Sequence, residues 1–354
     1  LDAALTWRVA RVAGYRVADG FIPGAVLTVS VPGYAPWSGA SGLAERAAER
    51  EMAPDTPVRI ASVSKMFTAV VVLQLVEEGR LTLDDPIATW MPDRVPGGDR
   101  ITVRQLLQHT AGLYDYLEDR RLIGEMQGDP NYEWQPQDLV DYAARFPQRA
   151  GGRWDYSSTH YVILGMLVEH VTGQPLAQHV RQRIFDPLGM DQAAFLPQEP
   201  VPPRLAHGYS YQEDITMSSM SFAFATANLA MTTGDLERFG RALFAGALLR
   251  PESRDLMLGR FVSGRGQYGM PDLEYGLGVM RNRLAIDPTA NGAQRPINAN
   301  LVLGHIGGYG GFRSAIWYAS ESGVVVTVGF NQAQADPNDL AAAALDRVLV
   351  GMNR

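Results

Sequence analysis

The order of apolar and polar residues gives the chain strand-like ends and a helix-rich middle. Gly24–Val31 is apolar and β-branched and stops at Pro32-Gly33, which predicts a strand closed by a turn. A second short strand around Trp37–Gly42 follows closely enough to form a hairpin. Val58–Ala61 leads into Ser62-Val63-Ser64-Lys65, after which Met66–Val76 is nearly all apolar until Glu77-Glu78-Gly79 supplies a glycine cap. A helix apolar on every side belongs in the interior.

From Leu81 to about Gly264 the pattern is mostly helical. Thr102 precedes Val103–His109, Pro136 precedes Gln137–Phe146, Ser158 precedes a run to Gly173, and Thr233-Gly234-Asp235 opens a helix through Phe244. Strand signals return at Tyr275–Asn282, Arg313–Ala319 and Gly323–Phe330, the last two joined by Ser320-Glu321-Ser322. Pro337 starts a closing helix through Met352. This predicts an α/β (α+β) fold: an antiparallel sheet domain built from 1–61 and 265–354, with a mostly helical domain, 62–264, inserted between them. No internal repeat or low-complexity linker interrupts the pattern.

Composition narrows the function classes. Hydrophobic residues at 46% and charged residues at 19% of 354 are the balance of a folded globular protein. A net charge of −7 argues against nucleic acid or an anionic membrane surface as partner. No apolar run approaches the roughly 18 residues of a membrane span. There are no cysteines, which excludes disulfides, thiolate catalysis and cysteine metal sites. The chain begins with Leu1, so an upstream signal peptide or a cloning remnant is expected to have been removed; exported and cytoplasmic locations both stay open.

Of the 31 basic residues 30 are Arg, and the single Lys is Lys65. An amine can be brought to neutrality near pH 7, whereas a guanidinium cannot. Read alone, this is equally an Arg-biased composition with one stray Lys. Ser62 lies three residues before Lys65 at a helix start, one turn away on the same face. A serine hydroxyl needs a neighbouring base to become a nucleophile, and a buried amine at the positive end of a helix can be that base. The same helix end offers the Ser62 N–H as an oxyanion donor.

Two further motifs are weaker alone. In Tyr156-Ser157-Ser158 the tyrosine could relay a proton, although a packed Tyr with Ser158 as an N-cap explains the same residues. In His305-Ile306-Gly307-Gly308, just before a strand, the glycines would allow close approach of a substrate and the Gly308 N–H could be a second oxyanion donor. Standing alone, that motif is better read as a glycine-rich loop.

Taken together, serine-x-x-lysine, tyrosine-x-serine and histidine-x-glycine resemble the signature elements of the penicillin-recognising serine hydrolases: class C β-lactamases, D-alanyl-D-alanine carboxypeptidases, D-aminopeptidases and β-lactamase-like esterases. The resemblance extends through Val58–Lys65, Leu106–Leu113, Tyr275-Gly276-Leu277-Gly278, Gly304-His305 and Gly311-Phe312, and covers about Pro23 to Met352. It implies a β-lactamase/transpeptidase-like fold with the site where sheet and helical domain meet. Ser62 would be acylated, Lys65 and Tyr156 would share the proton transfers, Ser62 and Gly308 would hold the oxyanion, and Ser158, His305 and Gly307 would line the substrate. No metal or organic cofactor is implied.

Departures bear on substrate. Ser158 stands where the tyrosine element usually ends in Asn, and His305 where β-lactamases usually carry Lys. Met280 and Gly308 occupy places where carboxypeptidases tend to have an Arg and a hydroxyl residue, with Arg281 and Arg283 nearby. Recognition of a free substrate carboxylate is thereby weakened. The expected activity is hydrolysis of a small ester or a D-amino-acid amide or peptide, ahead of D-alanyl-D-alanine carboxypeptidase, β-lactamase, or a penicillin-binding sensor without turnover. Oligomeric state is not legible. His109 is expected to be structural, and His160, His170 and His179 lack metal-like partners. Tyr114, Tyr116, Trp154, Phe222, Phe224 and Tyr309 are candidates for an acyl pocket but read individually as packing.

Overall fold

Strands from the two ends of the chain meet in one antiparallel sheet. The computed structural model describes residues 22–129, 131–149, 151–216, 219–290 and 293–352. The strands are β1 (Gly24–Ser30), β2 (Trp37–Glu45), β3 (Arg50–Glu51), β4 (Val262–Ser263), β5 (Glu274–Tyr275), β6 (Met280–Arg283), β7 (Leu301–Tyr309), β8 (Phe312–Ala319) and β9 (Val324–Phe330). Their order across the sheet is β3-β2-β1-β9-β8-β7-β6-β5-β4. Thr28 pairs with Thr327, Thr327 with Ile316, and Ile316 with His305, so one row crosses from β1 to β7. Strands β1 and β9 are buried throughout, because helices cover both faces.

The helices are α1 (Ser64–Glu77), α2 (Val103–Leu107), α3 (Arg120–Gly128), α4 (Pro136–Ala143), α5 (Ser158–Thr172), α6 (Leu176–Val180), α7 (Thr233–Phe244), α8 (Pro251–Gly259) and α9 (Pro337–Met352). Helix α7 lies on the Ile316 and Val325 face, where a Cβ on Gly240 would come within 2.5 Å of Ile316 Cδ1. Neighbouring strand residues point the opposite way. Trp317 therefore faces α9, and its Nε1 donates to Asn338 Oδ1 at 2.9 Å. Buried hydroxyls between α7 and the sheet are satisfied: Thr28 Oγ1 and Thr233 Oγ1 are 2.8 Å apart, and Thr327 Oγ1 donates to the Thr233 carbonyl at 2.9 Å.

Helix α1 runs through the middle of the molecule, buried at every position from Ser64 to Leu73. Each buried Val, Leu or Phe there is worth roughly 1.5–3 kcal/mol relative to exposure. This helix fixes where Ser62 and Lys65 sit.

The structure differs from the sequence pattern in informative places. The expected strand Tyr275–Asn282 is two short strands, because Gly278 turns the chain at φ +82 and donates its N–H to Leu107 and Gly276 carbonyls. His305–Gly308 lie inside β7 rather than before a strand; their glycines hide the strand from a propensity reading. Helix α2 stops at Leu107, since His109 takes a left-handed φ of +57. Within the stretch expected to be helical, α7 packs on the sheet and β4 joins its edge. Short strands at Val58–Arg59, Leu229–Met231 and Ala194–Phe195 form a separate small sheet.

Candidate active site

A strained turn presents Ser62. Ile60 sits at φ −90, ψ 0, Ala61 has φ +46, and Ala61–Val63 form a single 3-10 turn that runs straight into α1. A non-glycine residue held left-handed costs on the order of 1–3 kcal/mol, so neighbours must impose it. The Ile60 N–H is held by the Leu229 carbonyl at 3.0 Å, and its carbonyl accepts the Ser314 hydroxyl at 2.6 Å and the Val63 N–H at 3.2 Å.

One helical turn on, Lys65 is completely buried. Its Nζ donates to Ser62 Oγ at 3.1 Å, Ser158 Oγ at 3.4 Å and the Thr226 carbonyl at 3.2 Å. It also lies 5.0 Å from the centre of the Tyr156 ring and 5.8 Å from that of Tyr161. Burial brings the amine down to about 7, with the Asp115 carboxylate pulling it upward. Near neutral pH the nitrogen can thus exist as a free amine beside the serine hydroxyl.

Asp115 is a further buried charge, and the motifs did not reveal it. It follows the Leu106–Leu113 run, opens the 3-10 turn Tyr116–Glu118, and accepts the Leu117 N–H at 3.0 Å. It also takes the backbone N–H of Ser158, the residue whose hydroxyl touches Lys65. Burial raises its carboxyl above the usual range, against those N–H bonds and the Lys65 charge. The Thr226 carbonyl was equally invisible in sequence, since its role depends only on where a backbone oxygen points.

Tyr156 packs between the site and a group of buried rings. Ring centroids lie 4.1 Å from His109 and 6.2 Å from His305. Its hydroxyl is shut away from solvent facing Ser62, without a hydrogen bond of good geometry among the described residues. Burial, reinforced by Tyr268, pushes the phenol well above its ordinary value. Ser157, not Ser158, is the N-cap of α5, and Ser158 is its first residue.

The hydrogen bonds define the histidine tautomers behind Tyr156. His160 Nε2 accepts the Leu113 N–H at 3.3 Å, so its Nδ1 carries the proton and donates to His109 Nδ1 at 3.1 Å. His109 Nδ1 also accepts the Ser157 N–H at 3.2 Å, which places the His109 proton on Nε2, a buried atom without a partner. Burial holds His160 down at about 3 and His109 well below its usual value, so both are neutral. They buttress the start of α5.

On the sheet side, β6 pairs with β7 only over Leu301–Gly304, so Val302–Gly304 is flanked on both sides while 305–309 keep β8 alone. Gly307 lies against the Ser62 turn: a Cβ there would sit 2.2 Å from the Ile60 carbonyl oxygen and 3.1 Å from Ser62 N. Gly308 points to the other face, where the guanidinium of its cross-strand partner Arg313 fills the space a side chain would take. His305 is fully buried and stands behind the wall formed by Tyr156, not on the site's surface. Its Nδ1 donates to the Ile306 carbonyl and its Nε2 accepts the Tyr275 hydroxyl at 2.9 Å. Burial holds it at about 3, so it brings no positive charge.

Neither nearby arginine reaches Ser62. Arg281 binds Glu274 at 2.6 Å and Arg283 binds Asn298, Asn300 and the Ile297 carbonyl, while Met280 is core. Of the aromatic candidates, Tyr116 donates to the Phe222 carbonyl at 2.6 Å and Phe222 packs on Tyr309 at 4.9 Å, a chain beside the Thr226 segment. Phe224 packs in the core on Phe195, and Tyr114 stacks on Phe146. His179 accepts from Arg183, and His170 ends α5 without contacting the cluster among the described residues. Among the described residues no group of three or more His, Asp or Glu could hold a metal, and no helix is long and apolar enough to cross a membrane.

Known proteins share this architecture. The structure aligns with a D-stereospecific amidohydrolase from Streptomyces sp. at a TM-score of 0.80 and 32% identity, covering 96% of this chain and 97% of that one. With a D-amino acid amidase from Ochrobactrum anthropi SV3 the TM-score is 0.86 at 27% identity, covering 99% of both chains. Esterase EstB of Burkholderia gladioli is 36% identical over 213 residues, which is 56% of this chain and 54% of the esterase. The chain spans about half the length of the curated relatives it matches. The Beta-lactamase family model matches residues 9–350, and this chain belongs to that family.

Proposed function

We propose that the chain is a serine hydrolase that forms an acyl-enzyme at Ser62 and acts on a small ester or a D-amino-acid amide, with its site at the junction of the sheet unit (1–61 and 265–354) and the helical unit (62–264). The observation that carries this is the buried Lys65 amine, 3.1 Å from Ser62 Oγ and lowered to about 7 by burial. In this reading Lys65 takes the Ser62 proton as the oxygen attacks the substrate carbonyl. The Ser62 and Gly308 N–H groups hold the developing oxyanion, with Gly307 leaving room for it. As the C–N or C–O bond breaks, the Tyr156 phenol gives its proton to the departing nitrogen or oxygen and regains one from the Lys65 ammonium, so that amine and phenol are both restored. Water then releases the acyl group.

The amidase and esterase names of the relatives support this substrate class. So does the absence of a free cation among His305, Arg281 and Arg283, which weighs against carboxypeptidase and β-lactamase substrates. Intact-mass spectrometry with a fluorophosphonate, and turnover of p-nitrophenyl acetate, test the reading in wild type and Ser62→Ala. The adduct and the turnover should both disappear in the variant while its melting temperature stays close to wild type. Substantial residual turnover by Ser62→Ala would remove the nucleophile from the scheme.

A further inference from the structure

The segment Gly264–Met270 covers the tyrosine wall of the site. It closes on itself through Gly266 N–H to the Met270 carbonyl at 3.0 Å, Gln267 N–H to Gly264 at 3.1 Å and Met270 N–H to Gln267 at 2.9 Å. It is seated on Trp154, whose indole would lie 3.1 Å from a Cβ on Gly264. At its tip, between Gly266 and Gly269, Tyr268 holds φ +54, ψ +29. That left-handed conformation suits Gly or Asn and is uncommon for a bulky residue. Strain of this kind is kept where the side chain's position matters.

Tyr268 is 54% exposed as a residue, yet its ring meets Tyr156 edge to face at 5.6 Å and 75°. The charges of Asp115, Glu118 and Asp155 all act on the Tyr268 hydroxyl. The ring therefore reaches from the 264–270 segment onto Tyr156. In the scheme proposed above the departing group leaves beside Tyr156, the ring that Tyr268 contacts.

We propose that Tyr268 is a specificity-determining residue: it closes the leaving-group side of the cleft, admitting ammonia or a small alcohol and excluding a leaving group that continues as a peptide. This rests on the Ser62 and Tyr156 roles proposed above. It turns the choice between amidase and peptidase into a property of one side chain.

Tyr268→Gly removes the ring while suiting the same backbone angles, and Tyr268→Phe keeps the ring. Wild type and both variants would be assayed on D-phenylalanine amide and D-phenylalanyl-D-alanine amide, with the rate of fluorophosphonate labelling, whose leaving group is only fluoride, as a measure of Ser62 reactivity. In Tyr268→Gly the ratio of kcat/KM, dipeptide amide over amide, should rise at least fivefold with the labelling rate unchanged, while Tyr268→Phe keeps the wild-type ratio. An unchanged ratio in Tyr268→Gly, or an equal fall on both substrates, overturns the proposal. Failure of the fluorophosphonate to label Ser62 in the wild-type protein would instead sink the Ser62 reading itself, so the two failures are distinct.

Discussion

Lys65 Nζ faces the ring of Tyr156, 5.0 Å from its centre, and makes no hydrogen bond to the phenol oxygen. An ammonium placed over the ring stabilises the cation against the π-face, and does not serve as the counter-ion of a phenolate. Burial pushes the Tyr156 hydroxyl well above its ordinary value, so the tyrosine stays protonated throughout the working range.

Tyr156→Phe should therefore lower the acylation rate by about 10²–10⁴-fold, the worth of a positioned proton donor, with little change in melting temperature. Both proteins should show the same ionisations in kcat/KM between pH 5 and 10. An alkaline ionisation seen in wild type and missing from the Phe variant would mean that a phenolate acts as base after all. A wild-type rate would make the tyrosine purely structural.

Asp115 sets the position of the acid limb. Its carboxylate raises the Lys65 amine against the downward push of burial. Only the neutral amine can accept the serine proton, so kcat/KM should rise with pH through the region near 7. Removing the negative charge leaves burial unopposed and lowers the amine further. Asp115→Asn should move the limb to lower pH and make the variant's relative rate at pH 6 several-fold higher than wild type's. Because the two groups titrate together, the limb belongs to the pair. If Asp115 matters only through its bonds to Leu117 and Ser158, the rate falls at all pH values and the limb stays put.

The parts of this site that were legible in sequence are the local ones. Ser62 and Lys65 are one helical turn apart, and the apolar run after them announces the buried helix that carries Lys65 and follows directly on the Ser62 turn. Tyr156 was recognisable only through the resemblance of its motif, since nothing local separates it from a packing tyrosine. Asp115 and Thr226 come from segments far along the chain, and both matter through what surrounds them: a carboxylate becomes influential by burial, a carbonyl by direction. His305 shows the converse. Its motif is plain in sequence, but its proton state follows from the Tyr275 hydroxyl and the Ile306 carbonyl, contacts that only the folded sheet creates.

Charge at the far end of the substrate should matter in a stated direction. His305 is held neutral down to about 3, and Arg281 and Arg283 are engaged with Glu274 and with residues 297–300. D-Phenylalanyl-D-alanine amide should thus be turned over better than D-phenylalanyl-D-alanine, which differs only in its terminal carboxylate, by about tenfold or roughly 1.4 kcal/mol. Comparing kcat/KM for this pair at pH 8 checks it. Preference for the acid would direct attention to Arg313, the guanidinium beside Gly308.

Adjacent glycines on β7 should respond oppositely to the same methyl group. At Gly307 a Cβ would lie 2.2 Å from the Ile60 carbonyl oxygen and 3.1 Å from Ser62 N, both backbone atoms of the turn that presents the nucleophile. That turn is already held at a left-handed Ala61 and tied down by Leu229 and Ser314, so it has little room to give. Gly307→Ala should displace the Ser62 N–H or push β7 away from it, and lose about 10²–10³ in kcat, the usual worth of an oxyanion donor. At Gly308 the methyl would meet Arg313 Nη1 at 2.0 Å, which is the end of a long flexible side chain on the opposite face. That guanidinium can swing aside, so Gly308→Ala should keep its activity within a few-fold of wild type while leaving its own N–H in place. Steady-state kinetics of both variants on p-nitrophenyl acetate, with melting temperatures to confirm folding, decide the matter. Equal losses in the two would show that the edge of β7 tolerates no side chain on either face, and that the oxyanion site depends on the strand as a whole rather than on the contact between Gly307 and the Ser62 turn.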